Sequence, residues 1–332
     1  MALPDLSVVV VTHDGRELAL STLRSAMAAA NGASCEWIVV DSGSRDGTPE
    51  LIEREFGDVR VIRCENVGFA AANNVALRVT RGHYVLLLNP DVEVHSGGFA
   101  ELVAAMDQRP SVGVASVIQL ASDGSLQPSI RRYPSPLRQL GEALGLRRLG
   151  EEETRPARYE SERSADWLVG AFLLARREAL RQVGGLDERF FLYAEEADWC
   201  YRFRRSGWDV RHLPLMRVTH HAGECRRPDL FAQNSHSKLL FAEKHFSRPR
   251  RIAFRAALVV RHGIRVAALA PPALVWRRIR GRMAREWAAL RLVLGLSPPP
   301  FQGAAISGAR SGYLVTSPAY GWSSRQPNQS PE

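Results

Sequence analysis

Short apolar runs alternate with stretches of helical spacing through the first third of the chain. Residues 7–11 are a continuous β-branched run, the mark of a strand covered on both faces. Residues 37–40, 59–62 and 84–88 repeat the pattern, with helical composition between them at 17–30, 49–56 and 73–81. Pro49 stands near the first position of its helix, where a missing N–H costs nothing. Strands alternating with helices predict parallel βαβ units, hence an α/β fold with an open, mostly parallel sheet and helices on both faces. Beyond residue 110 the rhythm changes. Residues 112–120 read as a strand, and 127–163 are rich in Arg, Pro and Glu without periodicity, which predicts a long surface loop or lid. Residues 166–174 are apolar and 176–183 helical. Residues 190–205 form a helix acidic at its start and basic at its end, matching the helix dipole. Residues 210–221 form the last strand region. Residues 297–332, with three consecutive prolines and many Gly, Ser and Asn, predict a disordered tail.

Composition changes the picture only at the C-terminus. The 332 residues carry a net charge of +9, the footprint of a nucleic-acid binder if evenly spread. It is not. Twelve arginines against the single Glu286 between positions 248 and 296 make a local +11, so everything else sums to −2. There, Trp276, Ile279, Met283, Trp287, Leu290 and Leu294 recur at helical spacing, opposite Arg277, Arg278, Arg282 and Arg285. This reads as an amphipathic helix lying in an anionic membrane interface, against the alternatives of packing onto the catalytic part, a dimer contact or RNA. Residues 252–275 are too often interrupted to span a bilayer. Four scattered cysteines without a CxxC pair exclude a zinc ribbon and suit a reducing compartment, and no export signal is read at the N-terminus.

Polar residues collect where strands end: Thr12, His13 and Asp14, then Asp41, then Asn89 and Asp91. In an open parallel sheet that edge is where ligands bind. Asp41 and Asp46 could equally cap a loop and a helix. Asn89-Pro90-Asp91 delivers a carboxylate just past a proline, a placement suited to a hard divalent cation on phosphate oxygens. Neither a Walker loop nor a G-x-G-x-x-G after the first strand is present. Glu195 and Glu196, among Phe190, Phe191, Tyr193 and Trp199, offer a general base with an aromatic wall; spacing alone does not choose between them. Asp198 reads as the i,i+4 partner of Arg202. His220-His221 before Gly223 adds a metal or phosphate contact.

In this order the pieces resemble family 2 glycosyltransferases of the GT-A nucleotide-sugar fold. The matching stretches are Val9-Val10-Val11-Thr12-His13, the loop from Asp41 through Asp46-Gly47-Thr48, Glu65-Asn66-Val67-Gly68-Phe69 with Asn73-Asn74, Leu88-Asn89-Pro90-Asp91, Trp167-Leu168-Val169-Gly170-Ala171, Gly184-Gly185-Leu186-Asp187 and Glu195-Glu196. The resemblance implies a nucleotide-sugar site of Thr12, His13, Asp41, Gly68, Asn74, Asn89 and Asp91, and a Mg2+ or Mn2+ ion on Asp91 and His220. It implies Glu196 as catalytic base, with Trp167, Gly170, Glu195 and Trp199 on the acceptor side. Residues 1–120 would be the nucleotide-sugar half, 121–247 the acceptor half, 248–296 a basic helical extension and 297–332 the tail. The expected reaction is inverting transfer from a dTDP- or UDP-sugar, rhamnose foremost, to a glycan or lipid-linked acceptor. It would run in the cytoplasm, peripherally on the inner face of the plasma membrane; an oligomer is left open and no nucleic acid is expected. A sugar nucleotidyltransferase and a non-catalytic scaffold are the competing readings.

Overall fold

Seven consecutive buried residues make Leu6–Thr12 (β1) the centre of the molecule. The protein is described from a computed structural model covering residues 2–146, 149–221, 227–273 and 276–303. Around β1 lie Cys35–Ser42 (β2), Val59–Cys64 (β3) and Tyr84–Leu88 (β4), all parallel. Arg16–Ala29 (α1), Thr48–Glu55 (α2) and Phe69–Leu77 (α3) cross between them. The chain continues through Val92–Ser96 (β5), Phe99–Asp107 (α4), Val112–Leu120 (β6) and Ile130–Arg131 (β7). Pro136–Ala143 (α5), Arg163–Ser164 (β8), Trp167–Leu168 (β9), Phe172–Arg176 (β10) and Arg177–Val183 (α6) follow. Glu195–Arg205 (α7) and Asp209–His220 (β11) complete the sheet layer. Pro228–His245 (α8), Arg248–Ala273 (α9) and Arg277–Val293 (α10) form a C-terminal helical layer.

The main sheet runs β3-β2-β1-β4-β10-β6-β11-β5, with β8 added on β11. Only β10, β5 and β8 run antiparallel to their neighbours. This polarity positions the site. The carboxyl ends of β1, β2, β4 and β11 reach the same edge as the starts of β10 and β5, since Leu88 pairs with Phe172 and Val92 with His220. Alternate residues of each strand face opposite layers. Val8, Val10, Leu86 and Leu88 pack under α1, α2 and α4; Val9, Val11, Val85 and Leu87 pack under α3, α6 and α7.

Four expectations change. Residues 127–163 are not a loose lid: they hold β7 and α5, and bury Ile130, Gln139 and Tyr159. The helix expected from 190 begins at Glu195, because 190–194 form a turn in which Tyr193 and Ala194 take positive φ of 70° and 63°. The C-terminal layer starts at Pro228 and shares a third core with α7, in which Phe190 and Ala197 meet Phe241, Phe254, Leu258 and Val293. The apolar stripe expected on α10 is split, Leu290 being buried while Trp276, Trp287 and Leu294 face outward, and Leu292 and Val293, off that stripe, supply the core. Of the tail, Phe301 stacks on Phe191 at 5.0 Å; residues 304–332 lie outside the described residues.

Candidate functional site

Thr12 and Asp41 end β1 and β2 side by side in register. Both are buried, and Thr12 Oγ1 and Asp41 Oδ1 have no hydrogen-bond partner. The other carboxylate oxygen, Asp41 Oδ2, accepts from the Ser44 N–H at 3.1 Å, which fixes the group with one acceptor to spare. His13 Nδ1 donates to the Ser42 carbonyl at 2.7 Å, so its Nε2 is turned to the rim. Asp46 is spent otherwise, accepting from the N–H groups of Thr48 and Arg16. Of the two aspartates left open by the sequence, Asp41 is the one free to take a ligand.

Gly68 and Asn74 stand one step back. Gly68 has φ of +87°, and a Cβ there would lie 2.5 Å from the Phe191 carbonyl, to which Phe69 N–H donates at 2.7 Å. Asn74 bonds both ways to the Leu186 backbone, at 2.8 and 2.9 Å, and to Glu188. Its amide is therefore committed to holding the 184–188 segment against α3, rather than open to a nucleotide.

The second group sits where β4 ends and β5 begins. Asn89 N–H donates to the Ala171 carbonyl at 3.0 Å, and His221 N–H donates to the Asp91 carbonyl at 2.8 Å. These ties bring Asp91 Oδ1 to 3.4 Å from His220 Nε2, with Asn89 Nδ2 3.5 Å from the same nitrogen. Asp91 Oδ1 and Asn89 Oδ1 are buried without a hydrogen bond. On the far side of the ring, His220 Nδ1 lies 3.0 Å from Gln127 Oε1, an acceptor. A proton on Nδ1 leaves Nε2 with a lone pair that can accept from Asn89 Nδ2 and that stands 3.4 Å from Asp91 Oδ1, so two electron-pair donors lie side by side. That donor set fits a hard divalent cation completed by substrate phosphates. Among the described residues no three His, Cys, Asp or Glu side chains close a metal cage by themselves. His221 points elsewhere, to Glu93 at 3.1 Å and Ser122. Residues 222–226, including Cys225, lie outside the described residues. Gln127 was not anticipated; a residue 93 positions from its partner leaves no trace in local spacing.

The third group opens α7. Two consecutive non-glycine residues at positive φ, Tyr193 and Ala194, store backbone strain at the point where Glu195 and Glu196 enter the helix. Glu195 is nearly sealed, Glu196 is partly exposed, and Oε2 of each has no partner. Burial raises both carboxyls above their ordinary range, and the charge of Glu196 pushes Glu195 further up. Glu196 borders Gly170, whose Cβ would stand at an ordinary contact distance of 3.7 Å from Glu196 Oε1. Since Ala171 is the residue that receives Asn89 N–H, the Gly170–Ala171 stretch joins the Asp91 and Glu196 groups at one edge.

The aromatic wall is thinner than expected. Trp199 is fully buried in the core, its Nε1–H donating to the Gly184 carbonyl at 3.0 Å, so it cannot touch an acceptor. Phe190 belongs to the third core. Trp167 remains half-buried at the edge, held by a bond to the Arg132 carbonyl and covered by the Arg131 guanidinium at 5.8 Å. Asp198 is structural: it takes Arg202 at 2.9 Å and both Lys244 and His245 of α8 at 2.7 Å. Burial would raise its carboxyl, but those three partners hold it far below the usual range.

Comparisons with known proteins give the family and the fold. An N-acetylglucosaminyl-diphospho-decaprenol L-rhamnosyltransferase of Mycobacterium tuberculosis is 32% identical over 253 residues, covering 69% of this chain and 82% of its own. Rhamnosyltransferase WbbL of Escherichia coli (strain K12) is 25% identical over 165 residues, 47% of this chain and 61% of its own. Among solved structures, mannosyltransferase PcManGT from Pyrobaculum calidifontis, in complex with GDP-Man and Mn2+, superposes with a TM-score of 0.56 at 18% identity, over 89% of this chain and 88% of that one. The fold is GT-A. With its residues 7–184 matching the family described as Glycosyl transferase family 2, the chain belongs to that family and is a glycosyltransferase similar to rhamnosyltransferases.

Proposed function

We propose that the protein is an inverting, metal-dependent glycosyltransferase that moves a sugar, rhamnose foremost, from a dTDP- or UDP-sugar to a lipid-linked or cell-surface glycan acceptor. The observation that carries this reading is the row of buried, unpartnered carboxylate oxygens on Asp41, Asp91, Glu195 and Glu196 along one sheet edge. Buried acceptors without donors are costly, and each calls for a ligand. Asp41 Oδ1 suits a base N–H, with Thr12 and His13 beside it. Asp91 and His220, with Asn89 adjacent, would hold Mg2+ or Mn2+. Such an ion would neutralise charge gathering on the departing diphosphate. Glu196 takes the proton of the acceptor hydroxyl; that oxygen bonds to the anomeric carbon from the face opposite the nucleotide, and the bond to the diphosphate breaks. One inversion results, and the proton stays on Glu196 until it is lost to solvent.

The M. tuberculosis relative is named for L-rhamnose and for a decaprenol-linked acceptor, which supports the donor and acceptor classes. Among the described residues no helix is long and apolar enough to cross a membrane. The strongly basic 248–296 segment and the lipid-linked acceptor named for that relative support a peripheral place on the inner face of the plasma membrane. A thermal-shift panel of nucleotide sugars, with and without Mn2+ or Mg2+, tests the whole reading. A dTDP- or UDP-sugar should raise the unfolding temperature only with metal, and Asp91→Ala should abolish the shift. No stabilisation by any nucleotide sugar with either ion would leave a scaffold of this fold as the answer.

A further inference from the structure

Helix α5 is built inside out. Pro136 opens it and Ser135 Oγ accepts the Arg138 N–H at 3.2 Å, so the turn is properly capped. Its inward face is polar. Gln139, with no exposure, bonds to Arg261 at 2.6 Å and to Glu151; Glu142 pairs with Arg261 at 2.8 Å, and its carbonyl takes Arg265 at 3.2 Å. Lys238 closes the network on Glu151 at 2.8 Å. These bonds fix the rotation of the helix, and the leucines are left outside. Leu137 and Leu144 are each 66% exposed and Leu140 is exposed between them, one stripe at i, i+3 and i+7. Leu146 and Leu149 extend it. An ordinary surface helix in water has the reverse arrangement, and a contiguous apolar patch of this kind marks an interaction surface.

The surroundings say which one. Arg261 and Arg265 anchor α5 to α9, and α9 runs on from Arg265 for eight residues, about 12 Å at helical rise. There Trp276, Arg277 and Arg278 stand exposed. The nearby carboxylates Glu142, Glu151 and Glu286 are each neutralised by Arg or Lys, so the exposed charges beside the patch are the cations Arg277 and Arg278. A second copy of the chain would bring these same cations face to face in a two-fold contact. An anionic lipid surface is the complementary partner, with leucines in the interface and Trp and Arg at headgroup level. The patch also adjoins the acceptor side. Gln127, which orients His220, lies nine residues before Pro136, and β7 between them pairs with β9 just ahead of Gly170.

We propose that the leucine face of α5, bordered by the arginines of α9 and α10, docks on an anionic membrane and holds the acceptor side of the site at the lipid surface. Its use for a lipid-linked acceptor rests on the function proposed above. Full-length protein sedimented with phosphatidylglycerol–phosphatidylcholine vesicles should bind, and with phosphatidylcholine alone should bind at least about tenfold less. The double variant Leu137→Gln/Leu144→Gln should lose at least about tenfold of the anionic-vesicle binding, with an unchanged or raised unfolding temperature and the same nucleotide-sugar thermal shift. Wild type that ignores vesicles, a variant that binds as wild type does, or a wild-type dimer that the variant dissociates would each overturn the proposal. In the wild type, vesicle binding without any metal-dependent nucleotide-sugar shift would instead refute the catalytic reading and spare the surface.

Discussion

Glu196→Gln isolates the proton-transfer step. The substitution keeps the side chain's shape beside Gly170 and removes only its ability to accept a proton. The two neighbouring carboxyls are unequal: Glu195 is the more deeply buried and is pushed higher, so it holds the shared neighbourhood's proton while Glu196 ionises first. General-base help is worth about 10²–10⁴-fold, or roughly 3–5 kcal/mol of barrier. Glu196→Gln should lose that factor in kcat, read as nucleotide release at saturating donor and acceptor. Glu195→Gln mimics the protonated state and should stay within about tenfold of wild type. The pH profile supplies a second readout. Because Glu196 is raised, the acid limb of kcat/KM should lie above the ordinary glutamate value of 4.5, with activity climbing as pH rises through it; Glu196→Gln should flatten that limb. Stability should move the other way. A carboxyl raised on folding withdraws stability as pH climbs past its unfolded value, so Glu196→Gln should unfold no earlier, and at neutral pH later, than wild type. Near-wild-type turnover by Glu196→Gln, or an equal loss in Glu195→Gln, would refute the assignment.

Two further outcomes follow from the same geometry. Asp198→Asn strands Arg202, Lys244 and His245 around a buried site and should cost about 3–5 kcal/mol in denaturant unfolding. Because the folded carboxyl is depressed, that contribution is complete above the ordinary aspartate range and fades in acid, so the gap to wild type should close as pH falls through the folded value. Gln127→Leu removes the partner of His220 Nδ1 and should raise the half-saturating Mn2+ concentration about 10–100-fold while saturating metal restores most activity; an unchanged metal requirement would deny Gln127 a positioning role.

Features that depend on residue type at a strand end were legible in the chain itself. The buried runs 84–88 and 112–120 coincide with β4 and β6, the first wholly apolar and the second broken only by Gly113, Ser116 and Gln119. Thr12, Asp41 and Asn89 follow such runs and so inherit the ligand-bearing edge. β5 and α4 carry weaker signals of the same kinds. Val92 and Val94 alternate with polar neighbours as an edge strand does, and Phe99, Leu102 and Met106 recur at helical spacing. The α5 region had no readable signal, since its leucines face out and its polar side chains face in, the inverse of the pattern by which a surface helix is recognised. Trp199 was misplaced for a related reason: an aromatic beside two acids looks the same in sequence whether it lines a cleft or fills the core under α7. Contacts such as Asn74 with Leu186, 112 positions away, belong to the folded state alone.

The C-terminal layer belongs to the catalytic scaffold as much as to any surface. Glu195 is kept buried and Glu196 half-buried against their preference, behind two residues at positive φ, and that arrangement survives only if the rest of α7 is held firmly. The hold comes from α8: Lys244 and His245 clamp Asp198 two residues beyond Glu196, and Ser237 Oγ donates to the Leu192 carbonyl at 2.8 Å inside the strained turn. α9 and α10 in turn cover α8, with Phe254, Leu258 and Val293 closing the core that Phe241 and Phe246 begin. Cutting the chain after Ser247 would strip that cover and loosen the 190–194 turn together with any docking surface. Loss of membrane binding on truncation therefore says nothing of where the protein meets a membrane. The exposed leucines of α5, which contribute nothing to this core, separate the two effects.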